Sequence, residues 1–93
     1  MTDNQGETTM ALEEKHNPTD KVEIVGPYKH VQVRSATWVE KDGEPIGSKQ
    51  YHRTVFSPGQ SSDNPEVQVI IDTVHTPEII AAYEAHVAEQ DRL

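Results

Sequence analysis

Five histidines, His16, His30, His52, His75 and His86, have the widest chemical reach in this 93-residue chain. Neutral imidazole is the commonest metal ligand and titrates near physiological pH. Their spacing offers no His-x-His or His-x₃-His pair, and there is no cysteine to complete a zinc site. Only His30 and His52 can approach each other across a hairpin, as a weak two-ligand site at most. Nucleophilic catalysis needs a Ser, Thr or Lys beside an oriented base, in a place that excludes water. Ser57, Ser61 and Ser62 lie instead in a run of turn formers, residues 57–65, without the strand-turn-helix setting of a nucleophile elbow. Asp42 and Glu44 flank a hairpin tip, where carboxylates are solvated. The chain therefore reads as non-enzymatic, without metal or cofactor.

Binding is the remaining chemistry. Tyr, Trp and Arg combine large contact area with a polar handle and are enriched at binding hot spots. The chain has only five aromatic residues. The candidate interaction surface consists of Tyr28, Arg34, Trp38, Ile46 and Phe56, with Met10 and Leu12 as apolar anchors in an N-terminal arm. An alternative stays open, in which Trp38 is the core residue beneath a C-terminal helix. A formal charge of −8 argues against nucleic acid as the principal ligand, because phosphate affinity rests on Lys and Arg. The charge is also segregated: residues 1–20 carry net −4, residues 21–56 net +2 and residues 57–93 net −6. A basic island between acidic stretches can face an acidic stretch of another subunit, or be neutralised within one domain.

The elements that must position these residues read as α+β: a small antiparallel sheet of three to four strands with one C-terminal helix packed on it. Residues 1–20 form a flexible acidic arm, and residues 21–93 a single small domain. Residues 21–25 alternate at period two, and Gly26-Pro27 makes a bend. A hairpin follows over 28–56, turning at Lys41-Asp42-Gly43. Two registers compete. A G1 bulge at Gly43 pairs Glu40 with Glu44, whereas a two-residue Asp42-Gly43 turn pairs Lys41 with Glu44 and Val39 with Ile46. The bulged register is the preferred expectation. It places Val31, Val33, Val39, Tyr51 and Val55 on the inner face, and Tyr28, His30, Arg34, Trp38, Ile46, His52 and Phe56 on the outer one. A polar loop over 57–65 leads to a strand over 66–75, with a helix reaching back from the next segment as the alternative, then a helix over 77–91 announced by Thr76-Pro77-Glu78.

The core of such a chain must be thin, since only 33% of its residues are apolar. Stability as a free monomer is expected at the low end of roughly 5–15 kcal/mol. With no cysteine to form disulfides, assembly is the available remedy, so a homo-oligomer is expected. No apolar run approaches the length of a membrane span, and Met1-Thr2-Asp3-Asn4 lacks the character of a signal peptide. No membrane partner is expected.

The runs Tyr28 to Thr37, Val39 to Gly43, Tyr51-His52-Arg53 and Ser57-Pro58-Gly59, with Val74 to Glu78 and Ala81-Ala82-Tyr83, carry a resemblance. The chain resembles small uncharacterised proteins encoded among the virion and tail genes of tailed bacteriophages, over residues 21–88. The resemblance implies a virion structural protein, a multi-copy accessory or adaptor of tail or capsid. Its partners would be other virion proteins, and its location the virion, with the host cytoplasm during assembly. The alternative is a cytosolic phage accessory protein that binds a host protein.

Overall fold

The computed structural model describes residues 12–92 and shows an α+β arrangement: three antiparallel strands followed by two helices. Strand β1 is Leu12–Val25, β2 is His30–Lys41 and β3 is Glu44–Phe56, in the spatial order β1-β2-β3. Helix α1 is Pro65–Val74 and α2 is Pro77–Asp91. Strands of this length run about 45 Å at the usual rise of roughly 3.3 Å per residue. The molecule measures 70 × 27 × 16 Å, and its radius of gyration of 20.3 Å far exceeds the roughly 12 Å of a compact domain of this size.

The hairpin adopts the two-residue register, not the bulged one expected from the sequence. Lys41 pairs with Glu44, Glu40 with Pro45 and Val39 with Ile46. Asp42 and Gly43 have φ of 53° and 85°. Positive φ at both central positions matches the right-handed twist of the strands, which is why Asp-Gly favours this turn. The irregularity lies further along. Between the pairs Thr37–Gln50 and Val39–Ile46, three residues of β3 stand opposite Trp38 alone. Gly47, at φ 70°, supplies the left-handed backbone there. A matching irregularity in β1 sets Pro18-Thr19-Asp20 opposite Ser35.

Two boundaries differ from expectation. Residues 12–20, expected as part of a flexible arm, are the first part of β1 and pair with β2 from Leu12–Lys41 to Asn17–Ala36. Residues 66–75, expected as a strand, form helix α1. Asn64 caps it, its Oδ1 accepting from the Glu66 N–H at 2.9 Å, and Pro65 opens its first turn. Val67, Ile70, Ile71 and Val74 then fall on one side, at helical spacing. Burial of Val67 and Ile71 outweighs the few tenths of a kcal/mol by which β-branched residues disfavour helix.

The core sits at the end of the sheet nearest the β1–β2 turn. Val31 and Val33 from β2 meet Val67 and Ile71 from α1, with Val22, Phe56, Ile70 and Val74 packed around them. The helix that packs on the sheet is therefore α1. Helix α2 has the expected bounds, but none of its residues is buried. It is held through Tyr83 and His86, which meet Tyr28 in the turn at 5.7 Å edge-on and 4.9 Å stacked. Beyond this end neither helix covers the sheet; Leu12, Val39, Ile46 and Tyr51 are exposed, while in the central strand Ala36 is buried and Thr37 and Trp38 are half-buried.

Candidate functional site

The observed register redistributes the residues of the expected interaction surface. Opposite residues of an antiparallel pair share a face, and a slip of one residue exchanges faces. Phe56 pairs with Val31, and Ile46 with Val39, so both lie on the face that α1 covers at the turn end. Arg34 and Trp38 lie on the opposite face, and Tyr28 sits in the turn beneath α2. Tyr28 and Phe56 are thus spent on internal packing, and the five do not form one surface. Of the two N-terminal anchors, Leu12 stands exposed opposite Lys41, and Met10 lies outside the described residues.

The face of Arg34 and Trp38 carries a ladder of charge and aromatic contacts along the sheet. The Arg34 guanidinium pairs with Asp20, its Nε–H donating to Oδ2 at 2.7 Å. It also lies 4.1 Å from the ring centre of Tyr51 on β3. Both ion-pair partners are mostly shielded, with side chains 26% and 17% exposed, so this pair is less screened than a surface one. The irregularity at Pro18-Thr19-Asp20 brings Asp20 to this place. Further out, Lys49 Nζ stands 4.5 Å over the Trp38 ring, while Trp38 Nε1–H donates to Glu40 Oε2 at 2.9 Å. Lys49 and Tyr51 were absent from the expected surface. The signal for Tyr51 was in the sequence, because the two-residue turn puts it on the face of Arg34, and the shift of two residues at 47–49 keeps it on that face, opposite Ala36.

No histidine pair forms. His52 pairs with Ser35 on the α1 side of the sheet, while His30 lies on the opposite face with its ring edge-on to Tyr83 at 5.4 Å. Buried His75 has its Nε2 at 2.7 Å from the Lys29 carbonyl. A carbonyl only accepts, so Nε2 bears the proton and donates. This bond ties the link between the two helices to the β1–β2 turn, where Lys29 has a left-handed φ of 58°. Among the described residues, no three His, Asp or Glu side chains converge as a metal site.

Two grooves open on the α1 side. The larger, about 400 Å³, runs between the sheet residues Val33, Thr54 and Phe56 and the loop before α1. The loop serines act in its own folding: Ser62 Oγ accepts from the Asn64 N–H at 3.0 Å, and the Ser62 N–H donates to Gln68 at 2.7 Å. Asn64 Nδ2 also donates to Thr19 on β1 at 3.0 Å, fastening the loop across the sheet. The smaller groove, about 230 Å³, lies on the outer half of the sheet between Glu14, Thr37, Trp38, Val39, Ile46 and Gln50. Neither brings a nucleophile to a base within hydrogen-bond reach. What the arrangement offers is surface: an extended sheet with exposed aliphatic, aromatic and basic side chains. Among the described residues no helix is long and apolar enough to cross a membrane. In comparisons with known families, characterised proteins and solved structures, no family model, relative or structural neighbour matches this chain.

Proposed function

We propose that this chain is a non-enzymatic structural protein of a tailed-phage particle, present in several copies as an accessory or adaptor of the tail or capsid. One observation carries the structural part of the reading: in a molecule 70 Å long, the outer half of the sheet has two faces that neither helix covers, and Leu12, Val39, Ile46 and Tyr51 stand exposed there. Strands with neither face covered are marginal in water and gain stability when a second surface packs on them or further strands are added. The phage setting is supported by the resemblance over residues 21–88 alone. In this reading the turn end, with its helices, is the folded anchor of each copy, and the outer half is the part that assembles.

Quantitative mass spectrometry of purified particles tests it, with copies of this chain counted against the major capsid and tail proteins. A fixed copy number matching the symmetry of a tail or capsid component is the expected result. Absence from washed particles overturns the reading, and a search for host proteins held by the chain in infected cytoplasm would then address the cytosolic alternative.

A further inference from the structure

Resting on that reading, we propose that copies of this chain join edge to edge, β3 of one copy pairing in parallel with β1 of the next. Among the described residues the sheet ends in β1 on one side and β3 on the other, 14 and 13 residues long, each paired only with β2. An unpaired edge presents a row of free N–H and C=O groups that template another strand. The two edges differ in sign. β1 has four acids against two bases, and with Asp20 neutralised by Arg34 it still has three, Glu23 among them at 3.5 Å from Lys21, whereas β3 has one acid against two bases. Like edges meeting would oppose like charges, whereas unlike edges attract. Six of the exposed large apolar residues also lie on these strands: Leu12, Ile24 and Val25 on β1, and Ile46, Tyr51 and Val55 on β3.

The register follows from the side chains. β1 and β3 run in the same direction within a copy, so copies related by rotation about an axis tilted from the strands pair them in parallel with a stagger. Both edges have an uninterrupted stretch at the turn end, Lys21 to Val25 and Tyr51 to Val55, beyond their irregularities. Through Arg34, Arg53 stands level with Lys21 of its own copy. An unstaggered joint would therefore oppose two cations. A stagger of two residues keeps the faces matched and sets Arg53 beside Glu23 of the next copy, Tyr51 beside Lys21 and Val55 beside Val25. Closed sheets require such a stagger between strands. The joint is head-to-tail, so it closes into a ring if the rotation permits, and it gathers all helices at one end.

The absence of cysteine from the chain makes a clean experiment possible. In the full chain carrying both Glu23→Cys and Arg53→Cys, mild oxidation is expected to give a ladder of covalent oligomers, since neighbouring strands lie within disulfide reach. Each single-cysteine variant should stay uncrosslinked at the same concentration. Light scattering should show Arg53→Glu weakening association by roughly three- to tenfold, and the combined Glu23→Arg, Arg53→Glu exchange restoring it. Efficient dimers from either single-cysteine variant would replace this joint with a two-fold one. A strictly monomeric chain without crosslinks would overturn it, yet a fixed copy number in particles would leave the structural role standing.

Discussion

Val31 and Ile46 are aliphatic residues on the same face of the same sheet, yet Val31 is fully buried while Ile46 is 44% exposed. The difference between their surroundings is α1. At the turn end, burial of Val31, Val33, Val67 and Ile71 holds the sheet. In the outer half the strands are held by backbone pairing, by the Asp42-Gly43 turn and by contacts such as Lys49 over Trp38. Net contributions of single hydrogen bonds are only about 1 kcal/mol, and hairpins without a covered face are marginal. One end of the sheet is thus a small folded core, and the other is an extension that depends on it. The proposed assembly would use that difference, because the apolar surface left open in one copy would be available to the next.

The contrast breaks most directly at the core. Ile71→Ala removes side-chain volume from a four-residue cluster with little around it to collapse inward, and is expected to cost about 2–5 kcal/mol. Urea unfolding followed by circular dichroism reads this as a lower midpoint. In a chain of modest stability a loss of that size leaves much of the population unfolded at rest, outer strands included. If the β signal survived while the helical signal vanished, the outer half would be independently stable and the dependence argued above would be wrong.

The same contrast explains what was legible in the sequence. Helix α2 was readable to the residue because Thr76-Pro77-Glu78 states a cap, a proline and an acid, and the Thr76 side chain does accept from the Ile79 N–H. Asn64-Pro65-Glu66 states the same thing twelve positions earlier. It was outweighed by Val67, Val69, Ile70 and Ile71, whose branched side chains suggest a strand, so helix stood only as the alternative where α1 forms. The hairpin was legible from its alternation and its turn, but its register was not. A bulge was expected at Gly43, whereas the extra residues sit at Gly47-Ser48-Lys49. Residues 12–20 resembled a tail because alternation of apolar and polar residues marks a face buried within the chain, and this part of β1 has none. The residues of the expected binding surface are divided between the two faces for the related reason that its membership depended on register.

Gly43→Ala tests the outer half through its backbone. At φ 85° a β-carbon is strained, although no atom lies within 4 Å of where it would stand. The cost is therefore conformational, about 1–2 kcal/mol, and smaller than that of the core change. Since the Lys41–Glu44 tip is far from α1, amide exchange is the sensitive measurement. Faster exchange is expected in the β2–β3 tip, with protection of Val31, Val33 and Ile71 unchanged. Equal loss of protection at both ends would mean that the sheet opens as one unit.

The smallest effect is expected at Ile46→Thr, which keeps the branching that suits a strand and removes apolar surface from the bare groove. In dilute solution, where copies are separate, this exposed change should alter the unfolding free energy by no more than about 0.5 kcal/mol. The result matters because an aliphatic residue on a core face would cost several times more. Unfolding measured across a concentration series then sharpens the comparison. If Ile46 is idle in the single chain and useful in the assembly, wild type and Ile46→Thr should coincide when dilute and separate as concentration rises, the wild type becoming the more stable. A difference above about 1 kcal/mol in the most dilute samples would place Ile46 in a packed environment within the single chain, and the outer half would no longer count as bare.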